Sequence, residues 1–363
     1  MEPNIIKVET VINKEDWDSN LEQFKGSVYQ CVGFLFSLKS DVIKPVFLKF
    51  FKEGKVIAML SGIEVLMGNL NEKQLLFYAG LAIHEKTNEI IKACKDALVN
   101  FASTNGYSRM VFRSYDDTNY QNVKADKYYV LKRREEAIID LSKDNKDLEK
   151  GFSGNVRRDI KKAKSTGLHL KQGSSPDLLN RLMELLNTTQ KVRKEKGYGT
   201  YSIFALPFID EKVMLKLLQS NAATLYYVQF EEEIVSMIFT LKAMGRAYVI
   251  YMGNSPRGYK LAAPSLLFYD VAFDLKEKGF YSYNIGGVTI GTKNEGIKKF
   301  KLRMGSVLFQ SGEEKTYFLQ PNLKKYNKLL HFKIYIRHTR IPGKLKKLIL
   351  RFTNLLMGHR DNL

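Results

Sequence analysis

Apolar and polar positions alternate along the chain in two similar blocks, one in each half. The first block predicts three strands, a helix and a fourth strand, in the order 46–51, 56–65, 74–83, 88–104 and 109–113. The second block predicts the same order at 225–230, 234–241, 246–252, 263–278 and 281–285. Both predicted helices end at a glycine, Gly106 and Gly279, which suits a left-handed C-terminal cap.

The two blocks indicate that one structural unit occurs twice, and residues 51–59 and 230–237 share part of their sequence. We therefore predict an α+β fold of two tandem units, each a mixed, mostly antiparallel sheet flanked by helices. The predicted divisions are an N-terminal domain over 1–142, a C-terminal domain with the donor site over 143–320, and a basic amphipathic C-terminal tail over 321–363.

Charged residues dominate the stretch between the blocks, and 114–150 is interpreted as a connector. A helix is predicted from Asn155 to Lys164, with Asn155 as its cap. A second helix is predicted from Pro176 to about Lys196, because proline fits the first helical turn.

The C-terminal tail is basic. Residues 322–351 hold ten lysines and arginines and no acid. Six apolar residues fall on one face of a short predicted helix: Leu345, Leu348, Ile349, Phe352, Leu355 and Leu356. A helix of this type lies on an anionic membrane surface or docks on the protein itself.

Composition narrows the choice of partner and compartment. The formal net charge of +20 favours anionic partners such as nucleic acid, phosphorylated substrates or a membrane face, although a solvated basic surface gives the same total.

Cys31 and Cys94 lack the spacing of a redox or metal motif and the five histidines are scattered, so we expect reduced thiols and no metal. The N-terminus does not resemble a signal peptide, and no apolar run approaches the ~20 residues of a membrane span. We expect a cytoplasmic protein, soluble or peripheral to the inner face of the membrane.

The segment 286–305 carries the first candidate site. Gly286 and Gly287 follow a short aromatic strand, where a glycine pair lets backbone approach a ligand closely. Phe300 and Lys301 lie on a basic turn that ends at Gly305. A lysine there is placed to meet a phosphate or an oxyanion that forms during a reaction.

Two further clusters of cations are candidates for binding an anion. Arg157, Arg158 and Lys161 lie on the first predicted connecting helix, where like charges four residues apart oppose helix formation, so a polyanion or a solvated face is expected. Arg257 and Lys260 lie in the loop before the long helix of the second block, where a helix N-terminus favours phosphate or carboxylate. The first block has no such basic loop, so only the second is expected to hold an activated donor.

Three stretches together resemble the Fem-type aminoacyltransferases, which belong to the GNAT acyltransferase superfamily and carry two GNAT-like domains. The resemblance runs from about Trp17 to Pro321. It is carried by the basic stretch 155–167, by the run from Tyr259 through the helix to Gly287, and by Phe300-Lys301-x-x-x-Gly305. Singly each stretch is weak, and their order and spacing make the resemblance specific.

The resemblance implies transfer of an aminoacyl group from aminoacyl-tRNA to an amine of a peptidoglycan precursor, which is lipid-linked or nucleotide-linked, with no cofactor. It further implies that Lys301 stabilises the charge at the attacked carbonyl, that Phe300 shapes the pocket, and that Arg193 binds substrate. Lys39 lies one place later than the family's N-terminal lysine. Met304 replaces an aromatic residue, and Thr200-Tyr201 stands where many relatives have an arginine, so the acceptor stays open.

Two other functions remain open at this point. The first is an acyl-CoA-dependent N-acetyltransferase acting on a sugar nucleotide or polysaccharide precursor. Its usual pyrophosphate loop has glycine at the central position, where this chain has Lys260. The second is a non-catalytic RNA-binding protein, which the net charge would suit. A salt-dependent RNA affinity without any acyl product would favour the latter.

Overall fold

The computed structural model describes residues 6–67, 72–117, 129–195, 204, 206–288, 295–338 and 341–357. Thirteen β-strands lie in these residues. They are β1 (Lys7–Thr10), β2 (Ile43–Lys52), β3 (Lys55–Met67), β4 (Glu72–Phe77), β5 (Ala82–Ile83), β6 (Tyr107–Phe112), β7 (Tyr129–Asp140), β8 (His169–Gly173), β9 (Ala223–Phe230), β10 (Glu233–Ala243), β11 (Arg246–Asn254), β12 (Ser282–Val288) and β13 (Val307–Thr316).

Helices connect and cover these strands. They are α1 (Trp17–Gln23), α2 (Val32–Ser37), α3 (Asn88–Thr104), α4 (Asn145–Gly151), α5 (Gly154–Ser165), α6 (Pro176–Glu195), α7 (Glu211–Gln219), α8 (Pro256–Lys260), α9 (Ala263–Glu277), α10 (Glu295–Arg303), α11 (Asn327–His338) and α12 (Gly343–Met357). The predicted bounds of α3 agree with the structure, and those of α9 agree to within one residue at its end. Helix α10 is a regular helix where the sequence had indicated only an ordered turn.

All the strands lie in one sheet, in the order β1-β2-β3-β4-β6-β13-β7-β12-β11-β10-β9-β8, with β5 paired beside β3. In each half, antiparallel strands are followed by a crossover helix and a strand parallel to its neighbour. That parallel pair is β4 with β6 in the first half and β11 with β12 in the second. The repeat and the α+β class are therefore confirmed. The sheet is continuous because β13 pairs with both β6 and β7, and the predicted division at 142 stays a prediction.

The interpretation of 114–150 as a plain connector was wrong. It contains the twelve-residue strand β7 and the helix α4, while residues 118–128 lie outside the described part. Strand β7 escaped detection because five charged residues in a row, Lys132 to Glu136, hide its alternation. The predicted strand 74–83 was also too long, since it divides into β4 and β5 around a bend. The strands β1, β8 and β13 had no clear sequence pattern.

The hydrophobic core joins the two halves. One cluster of buried side chains includes Trp17, Tyr29 and Phe34 of the first half together with Tyr248 and Phe239 of the second. The rings of Tyr29 and Tyr248 meet edge to face at 5.0 Å between centroids. A second cluster forms where α9 covers the second half of the sheet. The two units therefore form one packed body around the middle of the sheet.

The tail begins with a short 3₁₀ turn and continues as α11 and α12, where the sequence had predicted a single helix. Met357 of α12 is buried in a small cluster with Phe318, Leu323 and Leu330. Among the described residues, none of the helices combines the length and hydropathy that a bilayer-spanning segment needs.

Candidate active site

The parallel strands β11 and β12 separate part-way along their length. Their pairing is described only from Arg246–Ser282 to Tyr248–Asn284, although β11 continues to Asn254 and β12 to Val288. At the same point, the pairing of β12 with β7 shifts register between Asn284 and Gly287. We call this interruption of the strand pairing in the second half of the sheet the opening between β11 and β12.

Gly286 lies at this opening, and its environment explains why a glycine stands there. Its φ is +90°, a conformation that side-chain-bearing residues rarely adopt. A Cβ atom would lie 3.2 Å from the carbonyl oxygen of Val249 and 3.3 Å from Nζ of Lys301. The side-chain oxygen of Asn284 accepts the Gly286 N–H at 2.9 Å and fixes the bulge. The backbone at Gly286 therefore lies close to Val249 and Lys301, and its approach to a ligand stays a prediction.

Lys301 reaches the same opening from α10. Its Nζ donates a hydrogen bond to the carbonyl oxygen of Gly287 at 3.0 Å. The side chain is half-buried, and burial lowers the pKa of Lys301 to about 7, with the carboxylate of Glu136 opposing this shift and Arg134 adding to it. Near neutral pH this group therefore changes between ammonium and amine. The structure thus brings Lys301 together with Gly286 and Gly287, as the sequence predicted.

Phe300 and Gly305 fix the position of α10. The Phe300 ring packs edge to face on Phe268 of α9, with 5.9 Å between centroids. Gly305 has a φ of +79°, and a Cβ atom there would lie 2.9 Å from the carbonyl carbon of Gly151. Met304, which stands at the position of the family's aromatic residue, is fully buried. Phe300 therefore anchors the helix that presents Lys301, and Gly305 lets that helix end against the α4–α5 junction.

A buried polar network lies beside Lys301 and was not predicted from the sequence. The Glu136 carboxylate accepts hydrogen bonds from the Tyr248 hydroxyl at 2.9 Å and the Asn284 amide at 2.8 Å, and it pairs with Arg134. It also accepts the backbone N–H of Asp116 at 2.8 Å. The burial of Tyr248 raises its pKa well above 10, so the hydroxyl stays neutral and donates to Glu136.

Asp116 continues this network across the two halves. Its carboxylate forms an ion pair with Arg246 at 2.8 Å, and both side chains are buried. A third contact, at 3.3 Å, joins Asp116 to the amide of Asn284. The only sequence signal for this network is an asparagine in an aromatic strand next to a glycine pair. Asp116, Arg134 and Glu136 lie in the stretch that the charge pattern indicated to be a connector. Arg246 and Tyr248 lie on the predicted strand that became β11.

The predicted basic loop at the start of α9 has a different arrangement from the one expected. Arg257 of α8 forms ion pairs with Glu231 at 3.2 Å and Glu233 at 3.5 Å, and its guanidinium lies over the Phe230 ring. It is therefore directed toward the β9–β10 turn. Lys260 is exposed at the end of α8.

The turn that leads into α9 offers few backbone donors. Ala262, the cap of α9, has a φ of +57°, and Pro264 follows within the first turn. Proline has no N–H, which removes one of the donors that an anion at a helix N-terminus would use.

Helix α5 carries the basic face that the sequence predicted. Its cap is Ser153, whose hydroxyl accepts the Val156 N–H, and not Asn155, whose side chain accepts a hydrogen bond from Arg158. Arg158 and Lys161 are exposed, Arg157 is half-buried, and the opposite face packs on α9. The Ser153 N–H donates to the carbonyl of Arg303 at 2.9 Å, so the start of α5 touches the end of α10.

The remaining predicted binding residues lie on other elements. Lys39 is exposed just beyond α2, and its carbonyl oxygen accepts a hydrogen bond from Lys216 of the second half. Arg193 is half-buried in the last turn of α6. The segment 196–203, which includes Thr200 and Tyr201, lies outside the described residues. Within the described ranges, no group of three or more histidine, cysteine, aspartate or glutamate side chains could hold a metal ion.

Residues 150–301 match the family model described as an acetyltransferase (GNAT) domain. Residues 150–301 therefore form a GNAT domain. The matched region contains the opening between β11 and β12 and ends at Lys301. None of the curated proteins matches the sequence significantly.

Solved structures extend the similarity beyond the GNAT domain. FemX has a TM-score of 0.68 at 14% identity, covering 88% of this chain and 100% of its own. A conserved protein of unknown function from Bacteroides thetaiotaomicron VPI-5482 has a TM-score of 0.53 at 14% identity, covering 85% and 99%. The L-PGS structure from Bacillus licheniformis has a TM-score of 0.48 at 19% identity, covering 86% and 95%, too low a score for an argument. At these identities the likeness to FemX shows a shared fold.

These findings confirm three predictions about the GNAT protein. The superfamily, the fold of two GNAT-like units and the assignment as an acyltransferase are all confirmed. The assignment as an acyltransferase also argues against the alternative function left open by the sequence, that of a non-catalytic RNA-binding protein. The donor, the acceptor, the domain boundaries and the roles of the individual site residues stay predictions.

Proposed function

We propose that this GNAT protein is a Fem-type aminoacyltransferase, which transfers an aminoacyl group from aminoacyl-tRNA to an amine of a peptidoglycan or related cell-envelope precursor. It would act at the cytoplasmic face of the membrane, where lipid-linked precursors are assembled. The observation that carries the proposal is Lys301, whose half-buried Nζ lies at the opening between β11 and β12, 3.0 Å from the Gly287 carbonyl. The FemX-like fold and the Phe300-Lys301 motif support it.

The proposed reaction is aminolysis of an ester. The acceptor amine attacks the carbonyl carbon of the aminoacyl ester, and the carbonyl oxygen becomes an oxyanion. The new C–N bond forms, the C–O bond to the ribose breaks, and the proton lost by the amine leaves with the ribose hydroxyl. An ammonium at Lys301 would stabilise the oxyanion, an effect worth about 10²–10³ in rate for one such donor.

The surroundings of the site favour tRNA over coenzyme A as the donor. Lys260 occupies the central position of the α8–α9 turn, Pro264 removes a backbone donor, and Arg257 is engaged by two glutamates. These features weaken a cradle for a pyrophosphate. The exposed cations of α5, by contrast, form a broad basic face that joins the end of α10 and suits a polyanion.

A specific observation also favours acetyl-CoA as an alternative donor. The matching family model is described as an acetyltransferase domain, and the separation of β11 and β12 would admit a thioester as well as an ester. This second candidate would acetylate an amine of a sugar nucleotide or polysaccharide precursor.

One transfer assay separates the two candidates. The protein is incubated with lipid-linked and nucleotide-linked muropeptide precursors, and with either charged tRNAs or acetyl-CoA, and the products are weighed by mass spectrometry. We expect an aminoacyl mass that requires charged tRNA and that falls about 10²–10³-fold in Lys301→Met. The matched control is Lys299→Met, because Lys299 is exposed on the same helix. An acetyl product from acetyl-CoA, with none from charged tRNA, would replace the proposal with the second candidate.

A further inference from the structure

Large apolar side chains are exposed in one region more than elsewhere, the pair of helices α11 and α12. In the described part of the chain, fifteen large hydrophobic residues are exposed, and seven of them lie in this tail helix pair. They are Phe332, Tyr335, Leu345, Leu348, Phe352, Leu355 and Leu356. An exposed apolar cluster of this density marks a surface that meets something other than water.

Helix α12 divides into three faces when its residues are placed at about 100° intervals. One face packs inward through Thr353 and Met357 and holds the helix on α11. The second face, an arc of about 100°, is apolar and exposed. It consists of Leu345, Leu348, Phe352, Leu355 and Leu356.

The third face of α12 borders the apolar face and is basic. Its exposed side chains are Lys344, Lys347 and Arg351. Residues 321–357 contain no aspartate or glutamate, so nothing within the tail neutralises this charge. On α11, Lys328 lies on the same exposed face as Phe332 and Tyr335.

We propose that the tail helix pair docks on an anionic lipid bilayer, with the apolar face of α12 in the headgroup layer and the basic face on the lipid phosphates. The surface of an anionic bilayer binds helices that carry leucine and phenylalanine on one face and lysine and arginine beside it. An RNA partner would use the cations and leave five exposed apolar side chains in water. The proposal goes beyond the acyl-transfer function and does not depend on it.

The packing of α12 makes the surface testable without unfolding the protein. Each apolar side chain of the proposed face is at least 48% exposed, so its replacement by serine removes no core contact. The neutralised variant Lys344→Gln/Lys347→Gln/Arg351→Gln changes exposed residues only. The matched control is Ile12→Ser/Val42→Ser, which removes exposed apolar side chains from another part of the surface.

Sedimentation with lipid vesicles tests the proposal. The full chain is mixed with vesicles of phosphatidylcholine alone, or of phosphatidylcholine with phosphatidylglycerol, and the bound fraction is measured at low and high salt. We expect binding to the anionic vesicles only, weakened by salt. Each neutralised cation should lower partitioning about fivefold, and the three together on the order of 100-fold. Leu348→Ser/Phe352→Ser/Leu355→Ser should abolish binding, while the control variant binds like wild type.

Two results would overturn the proposal. One is the absence of binding to anionic vesicles, or equal binding to neutral and anionic ones. The other is a dimer in solution that the Leu348→Ser/Phe352→Ser/Leu355→Ser variant converts to monomer while vesicle binding is unchanged, which would assign the face to a second copy of the chain. Transfer to a water-soluble acceptor should be the same in the wild type and the tail variants, so this test stays separate from that of the proposed function.

Discussion

The lowered pKa of Lys301 makes a quantitative prediction about catalysis. If Lys301 acts as an ammonium that stabilises an oxyanion, the free protein holds the active form only below the pKa of about 7. Each pH unit above that value lowers the ammonium fraction about tenfold, so kcat/KM should be level below pH 7 and fall about tenfold per unit above it. A bound anionic donor stabilises the ammonium, so the fall in kcat should begin at higher pH.

The assay is a pH profile of acyl transfer between pH 6 and pH 9 for three proteins. Lys301→Met keeps a side chain of similar length without the charge, and should be about 10²–10³-fold slower with no fall above pH 7. Lys301→Arg keeps the charge at every pH tested, so any activity it retains should not fall above pH 7. A wild-type profile that is level across this range, or a fall that persists in Lys301→Met, would refute the role.

A stability measurement checks the same pKa without using activity. Because burial lowers the pKa of this basic group, the folded protein loses a proton near pH 7 that the unfolded chain keeps until about its ordinary value of 10.5. The contribution of Lys301 to the free energy of unfolding therefore rises with pH in that window, by at most about 1.4 kcal/mol per unit. Because Lys301 is only half-buried, solvent screening makes the slope smaller than this upper limit. The measurement is urea denaturation at pH 6 and pH 9. The free energy of unfolding of Lys301→Met, relative to that of the wild type, should be higher at pH 6 than at pH 9.

Two further predictions concern the groups around Lys301. Glu136→Gln should cost about 3–5 kcal/mol in urea denaturation, because it removes the buried carboxylate that pairs with the half-buried Arg134. It should also move the fall in kcat/KM to lower pH by removing a charge that favours the ammonium, and an unchanged pH profile would contradict this electrostatic account. Gly305→Ala should destabilise the protein more than Gly279→Ala, since both glycines have a positive φ and only Gly305 would place a Cβ against backbone. Gly279→Ala should cost about 1–2 kcal/mol, and equal losses in thermal denaturation would argue against the contact with Gly151.

The helix and strand pattern of each half was predictable because its signals are local. Helix α9 illustrates this, since its apolar residues, the proline in its first turn and Gly279 beyond its end all lie within twenty residues. The hairpins β2–β3 and β9–β10 alternate clearly around short polar turns. The Gly286 and Lys301 pair was predictable for the same reason, because a glycine pair and a motif of known spacing can be recognised without knowing the fold.

The polar network beside Lys301 was not predictable, because its members come from three distant parts of the chain. Asp116, Glu136 and Asn284 are polar residues of types that usually face water. Only the assembled sheet places them together in a region without solvent, where each must find a partner. The charge pattern around Glu136 even favoured a connector over the strand β7 that contains it.

The sequence by itself determined the repeated unit, the crossover helices, the basic tail and the residues that resemble an acyltransferase motif, since all of these depend on neighbours along the chain. Only the tertiary structure decided that β13 joins the two halves in one sheet, that Arg257 pairs with glutamates, and that Lys301 titrates near neutral pH. The physical reason is that strand pairing, desolvation and Coulomb interaction depend on distances through space, which residues far apart in the sequence acquire only on folding.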